Sequence, residues 1–391
     1  MKYNFSKPID RSGTSAVKFD MRNAIFGRSD VIPMWVADMD FETPPFIVER
    51  MKMRLEHPIF GYTIIDDQFK ESIEWWLKKR FEWEIEKRWI SFCPGIVAGL
   101  NHAVQAFTEP NDKILIQTPV YHPFFYAVRQ NNRELLTNPL KINGHRYEID
   151  FDHLEKQLAL GVKMFILCNP HNPVGRVWER QELEKIASLC IKYNVILISD
   201  EIHADLVFKP NKHISIATLS DEIASRTVTF CSASKTFNIA GLTTAYVVIK
   251  NEKFLKRYNQ QLNMNGTNHG NVFGYEALKA AYTPQGEVWL EQLLEYLWDS
   301  VEFTQKFIEE NIPQVKLVEP EGTYLLWLDF RNFGLSVKEL NEKLVHEAGV
   351  GFNAGEIFGV EGEGFQRMNI GCPRAVVEET LIRTKNVFAS M

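Results

Sequence analysis

The sequence has no uncharged apolar segment of the roughly 18 residues that a membrane helix needs, and no cationic start leading into an apolar stretch. Neither a membrane span nor a secretory leader is therefore expected. It also has no long basic run, and its 50 acidic residues outnumber 44 Lys and Arg for a net charge of −6. That balance argues against nucleic acid as the principal partner. The five cysteines, Cys93, Cys168, Cys190, Cys231 and Cys372, show no paired metal spacing. Three fall within apolar strand or helix patterns, so they read as reduced core residues and no metal site is expected. No repeat or low-complexity linker breaks the chain. The expectation is a cytoplasmic globular protein, with 45% hydrophobic residues to fill its core.

What is present is a change of pattern along the chain. Residues 1–45 are irregular, aromatic and proline-rich, densest at Ile32-Pro33-Met34-Trp35-Val36-Ala37-Asp38-Met39-Asp40-Phe41, and read as an ordered arm belonging to a smaller domain. Over 46–287 strands and helices alternate, the pattern of a large α/β domain with a mostly parallel sheet and helices on both faces. Residues 288–391 continue a long helical pattern into two strand-like runs, 315–318 and 324–329, and further helices, giving a small α+β domain. Trp75, Trp76, Trp83 and Trp89 read as packing anchors.

Three apolar strand-like runs end in polar clusters. The run 162–168 ends in Asn169-Pro170-His171-Asn172-Pro173-Val174-Gly175, and 195–199 ends in Asp200-Glu201-Ile202-His203. The third, containing Val228 and Phe230, leads into Ser232-Ala233-Ser234-Lys235-Thr236-Phe237-Asn238. Short continuous apolar runs separated by helix-period stretches such as 179–193 read as buried parallel strands. Ligands of such sheets lie outside the carboxyl ends of the strands, so the three clusters point to one crevice.

Each member has an ordinary reading beside a chemical one. Lys235 is either a structural lysine of a loop or an amine that condenses with an aldehyde and gives up its fixed charge. Asp200 is either a helix cap or a carboxylate that keeps the nitrogen of a pyridine ring protonated. Asn172 either ends a strand at a proline turn or, like His203, hydrogen-bonds a phenolic oxygen on that ring. Pro94-Gly95-Ile96-Val97 opens a helix reaching Phe107, which is a simple turn or a phosphate site made by free backbone N–H groups. Ser232 and Ser234 could add hydroxyl donors, and Tyr121 could stack on a ring face.

Taken in order, Pro94-Gly95, Tyr121, the Asn-Pro-His-Asn-Pro-Val-Gly cluster, Asp200-Glu-Ile-His203 and Ser232-Ala-Ser-Lys235, with the lysine 35 positions after the aspartate, resemble the fold-type I pyridoxal-phosphate enzymes of the class I/II aminotransferase family. The likeness covers nearly the whole chain. The arm 34–41, Asp200-Glu-Ile-His-Ala-Asp-Leu206, Ser234-Lys-Thr-Phe-Asn-Ile-Ala-Gly241 and Asn369-Ile-Gly-Cys-Pro-Arg374 are similar to its PatB/MalY branch of carbon–sulfur β-lyases, cystathionine β-lyases among them.

The resemblance implies that Lys235 holds pyridoxal phosphate and moves protons at the substrate Cα. It implies that Asp200 pairs with the pyridinium nitrogen, Asn172 contacts the phenolic oxygen and Tyr121 stacks on the ring. Gly95, Ile96 and Val97 fall at the phosphate helix, with Ser232 and Ser234 as hydroxyl donors. Arg367 matches the arginine that grips the substrate α-carboxylate through paired N–H donors, with Arg374 the competitor. Tyr62 resembles the tyrosine that reaches the partner subunit's cofactor phosphate, which implies a homodimer. Two positions depart from the pattern: His203 stands where aspartate-type aminotransferases carry tyrosine, and Thr243 where a phosphate-binding arginine is usual.

Fold and Lys235 serve both β-elimination and transamination. Branch motifs favour a β-lyase acting on L-cystathionine, and on L-cysteine or other S-substituted cysteines. An aminotransferase of amino acids is the alternative. A regulatory protein that binds a transcription factor is a second one.

Overall fold

The apolar runs pair into one seven-stranded sheet in the computed structural model, which describes residues 2–389 and 391. In chain order the strands are β1 (Ile90–Cys93), β2 (Lys113–Ile116), β3 (Glu134–Thr137), β4 (Met164–Cys168), β5 (Ile196–Asp200), β6 (Thr227–Cys231) and β7 (Ala245–Val248). They lie side by side as β1-β7-β6-β5-β4-β2-β3. Only β7 is antiparallel to its neighbours. Successive side chains alternate between the faces of a strand, and both faces here are covered. Met164, Ile166, Ile198 and Val228 enter one apolar cluster, while Phe165, Leu167 and Leu197 enter another. That is why these strands read as unbroken hydrophobic runs.

Register places the chemistry. Asp200 stands opposite Cys168 on one side and Phe230 on the other, so the Asn169, Asp200 and Ser232 turns leave the sheet along one edge.

Helices flank the sheet. They include α1 (Asp67–Phe81), α2 (Ile96–Phe107) and α3 (Arg180–Lys192). Helix α2 sits close on the sheet at Gly99, where an added Cβ would come within 2.5 Å of both Cys93 Sγ and Phe230 Cε1. Helix α4 (Pro284–Asn311) is started by Thr283, whose Oγ1 accepts from the Gly286 N–H at 3.2 Å. It crosses the expected boundary at 287 within its first turn and leads to a second, antiparallel sheet. Those strands are β8 (Lys316–Leu317), β9 (Leu325–Asp329), β10 (Asn353–Ala354) and β11 (Phe365–Asn369), in the order β8-β9-β11-β10. Helix α5 (Arg374–Phe388) follows.

The arm is ordered. Ile32–Pro33 pairs in parallel with Val350–Gly351, and Asn369 Nδ2 donates to the Val36 and Asp38 carbonyls. From the other side Asn238 accepts from the Met39 N–H and donates to the Met39 and Phe41 carbonyls. Residues 34–41 are thus held between the end of β11 and the turn carrying Lys235. Trp76 and Trp83 are buried in the main core, with Trp75 and Trp89 packed against it. Among the described residues no helix is long and apolar enough to cross a membrane.

Candidate active site

The edge where β4, β5 and β6 end opens into a cavity of about 500 Å3. Gly95, Ile96, Val97, Tyr121, Asn172, Asp200, His203, Ser232, Ser234 and Lys235 all contribute to its wall. Hydrogen bonds align the loops that carry them. The Tyr121 N–H donates to the Asn172 carbonyl at 3.0 Å, and His171 Nε2 donates to the Pro119 carbonyl at 2.8 Å.

Lys235 is half-buried, and its Nζ donates to the Ala37 carbonyl at 2.6 Å. Burial pushes its amine down to about 8, helped by the nearby Arg367 charge and opposed by Asp38 and Asp200. The lowered value raises the neutral fraction available as a nucleophile well above that of an ordinary lysine. Asp200 is buried, and its Oδ1 accepts from the Ile202 N–H at 3.2 Å. Burial pushes this carboxyl up to about 7; the Ile202 N–H opposes the rise, Glu201 adds to it and Lys235 opposes it. A cationic partner inside the cavity would restore the carboxylate.

The end of the cavity at α2 suits an anion. Gly95, at φ 123°, precedes the helix, no side chain caps it, and the first turn lines the cavity. Ser232 and Ser234 reach the same cavity, although the Ser232 hydroxyl already donates to the Thr244 carbonyl at 2.9 Å. Thr243 lines it too, in the left-handed region at φ 44°. Among the described residues lining the cavity, Lys235 is the only Lys or Arg. An anion there rests on N–H and O–H donors.

His203 is buried with Nδ1 unpartnered. Burial, then the Lys235 and Arg367 charges, push it down to about 3, so the ring is neutral. Burial raises the Tyr121 hydroxyl above its ordinary range, with Arg367 opposing.

Arg367, on β11, is buried with Nη1 3.0 Å from Asn172 Oδ1 and Nη2 2.6 Å from Asn353 Oδ1. Its Nε has no partner, and its guanidinium lies 4.8 Å from the Phe358 ring centroid. Arg374 goes elsewhere: Nε and Nη2 both reach Ser300 Oγ at 3.2 Å and the guanidinium covers Phe303. Its bonds tie α5 to α4. Tyr62 is fully exposed and does not line its own chain's cavity.

Two neighbours of the site carry no signature in the sequence. Tyr324, at the mouth of β9, donates its hydroxyl to the same Ala37 carbonyl at 2.9 Å; an aromatic opening an apolar strand reads simply as core. His122 is pushed down to about 4 by burial and Arg367 and has a buried, unpartnered Nδ1. No spacing marked it. The cavity offers an amine for a carbonyl, a carboxyl for a protonated heterocycle and donors for an anion, while the Arg367 guanidinium is buried beside Asn172 and is not among the lining residues.

The chain is similar to known proteins along nearly its whole length. The family model for aminotransferase class I and II matches residues 29–383. The chain is 43% identical to the cystathionine β-lyase PatB of Bacillus subtilis, across 98% of this chain and 99% of that protein. Cystalysin of Treponema denticola, whose crystal structure contains pyridoxal 5'-phosphate, superposes with a TM-score of 0.96 at 35% identity, covering 99% of each chain. The PLP-bound C–S lyase of Staphylococcus hominis superposes with a TM-score of 0.92 at 35% identity, covering 99% of this chain and 98% of that one.

Proposed function

The chain belongs to the class I and II aminotransferase family, and from that premise we propose that it is a pyridoxal-phosphate-dependent carbon–sulfur β-lyase. It converts L-cystathionine and one water to a thiol, pyruvate and ammonia; L-cysteine and other S-substituted cysteines share the bond to be broken. The carrying observation is that Lys235, Asp200 and an uncapped helix N-terminus meet in one cavity. The whole-length likeness to a cystathionine β-lyase and a C–S lyase supports it.

The donor set fits the cofactor. The first turn of α2 and Ser234 would hold the phosphate, with Ser232 joining them only by giving up its bond to the Thr244 carbonyl, and Asp200 would pair with the ring nitrogen. Asn172 Oδ1 already accepts from Arg367, so its amide N–H would be the group to meet the phenolic oxygen, beside His203, whose Nδ1 has no partner. Tyr121, in the cavity wall, would cover a ring face. When bound, pyridoxal phosphate supplies an aldehyde that takes up an amine and a protonated ring that draws electron density from the substrate Cα.

The protein does the rest. Arg367 would bind the α-carboxylate through its unpartnered Nε and by exchanging Nη bonds now made to Asn172, Trp35 and Asn353, which would set the substrate Cα beside Lys235. Lys235 Nζ takes the Cα proton as general base. The Cβ–S bond then breaks with its electron pair on sulfur, and the Lys235 ammonium returns a proton to the leaving thiolate. Released organic product takes up water and divides into pyruvate and ammonia.

In a homodimer, Tyr62 of the partner subunit would complete the site, supplying a donor to the phosphate where position 243 holds threonine in place of arginine. Exposed Ile59, Phe60 and Ile64 around Tyr62 form an apolar stretch suited to burial against a second copy. Transamination would use the same residues, so the test is product analysis: a lyase releases pyruvate and thiol from L-cystathionine with no keto acid present.

A further inference from the structure

The turn carrying Lys235 is held from behind by a buried carboxylate that the chemistry above does not use. Asp205 lies in the segment following β5, is buried and does not line the lysine's cavity. Its Oδ2 accepts from Thr236 Oγ1 at 3.0 Å, one residue beyond the lysine. Trp76 Nε1 of α1 donates to both oxygens, at 3.1 and 3.2 Å, and Arg80 Nε lies 3.7 Å from Oδ1. A carboxylate taken out of water is costly unless it is hydrogen-bonded and paired, and here both oxygens are met from α1 and from the lysine turn.

The same segment reaches the other side of the site. The Leu206 carbonyl accepts from the Thr323 N–H at 2.6 Å, and Val207 bridges to Gly322. Tyr324 follows at once, and its hydroxyl shares the Ala37 carbonyl with Lys235 Nζ. Asp205 therefore stands where displacement would move both groups that meet at Ala37. Beside it, Phe237 packs on Trp76 and Trp289 at centroid distances of 5.7 and 5.5 Å, so the turn rests on a rigid aromatic floor.

We propose that Asp205 is a positioning residue for Lys235, acting through Thr236 to fix where the amine stands in the cavity. Proton transfer at Cα needs the amine within hydrogen-bonding reach, and a displacement of about an ångström costs a reaction up to about 100-fold. A hydroxyl on the residue next to the lysine, locked to a carboxylate that is itself locked to α1, removes that freedom.

The inference rests on Lys235 being the working amine, so its test uses two independent readouts. Thr236→Val removes one bond and keeps side-chain shape; Thr236→Ser keeps the bond; Asp205→Asn weakens all of them. In the holoenzyme, Thr236→Val is expected to lower kcat about 10- to 100-fold with KM little changed, and to shift the pH midpoint of the bound cofactor's visible absorption. Thr236→Ser should restore both. Amide hydrogen exchange across 234–238, measured with and without cofactor, should quicken in Thr236→Val and return to normal in Thr236→Ser. Wild-type kcat, midpoint and exchange in Thr236→Val would overturn the proposal, as would a lowered melting temperature with all three unchanged. Should Asp205→Asn fail to fold, Thr236→Val decides the question. Failure of borohydride to fix cofactor on wild-type Lys235 would instead refute the lyase reading, and exchange in the cofactor-free chain would still report on Asp205.

Discussion

Lys235 sits where burial and the Arg367 charge together outweigh two carboxylates, leaving its amine at about 8. Only the neutral amine attacks an aldehyde, so cofactor uptake by the cofactor-free protein should rise with pH, about tenfold per unit below pH 8, and level off above it. Stopped-flow absorbance measures this; a flat profile between pH 6 and 8 would contradict it. The two arginines differ in the same residue-by-residue way. Arg367→Ala should raise KM about 10- to 100-fold, the loss of a charge-assisted bond pair, while Arg374→Ala, which loses bonds to Ser300 and cover for Phe303, should lower the melting temperature with KM nearly unchanged. Steady-state kinetics and a thermal melt on each variant separate them. Lys235, Asp200 and Asn172 were legible as candidates because each lies in a polar cluster that ends an apolar run, whereas Arg367 was legible only through the family resemblance. Tyr324, His122 and the Ala37 carbonyl were not, since their part depends on distant segments meeting, and a backbone carbonyl carries no signature in sequence.

Helix α2 and strands β1 and β6 act as one unit, with Gly99 at their closest approach. Its hydrogen is what lets α2 lie against Cys93 and Phe230. Gly99→Ala overpacks that contact, expected to cost about 1–3 kcal/mol, and it displaces the helix whose first turn faces the phosphate end of the cavity. Both a lower denaturation midpoint and a weaker cofactor Kd should appear in equilibrium titrations; unchanged Kd would detach α2 from cofactor binding. Elements of this kind were readable in outline because strands covered on both faces leave unbroken apolar runs. Strands β1 and β3 were not picked out: both are short, and the exposed Glu134 and partly exposed side chains of β3 give no such run. The reversed direction of β7 was equally hidden, because direction is set by the connection and not by composition.

For the whole molecule, Tyr62 and its apolar neighbours decide whether one chain suffices. If each site takes Lys235 from one subunit and Tyr62 from the other, Lys235→Ala and Tyr62→Ala chains, each poorly active alone, should regain about a quarter of wild-type activity when refolded together, through mixed dimers with one intact site. No recovery would mean that Tyr62 serves its own chain or none. The switch in hydrophobic period along the sequence reads as an arm, a large α/β domain and a smaller α+β domain; how the arm lies against the Lys235 turn was not legible, because it depends on Asn238 and Asn369 meeting carbonyls far away in the chain. All of these scales converge on the fate of the Cβ–S bond. The most direct measurement incubates purified wild-type and Lys235→Ala protein with L-cystathionine and pyridoxal phosphate, without keto acid, and follows pyruvate and free thiol. Equal amounts of both from the wild type, and none from Lys235→Ala, are predicted. No pyruvate from the wild type until a keto acid is added, or equal turnover by Lys235→Ala, would contradict the account.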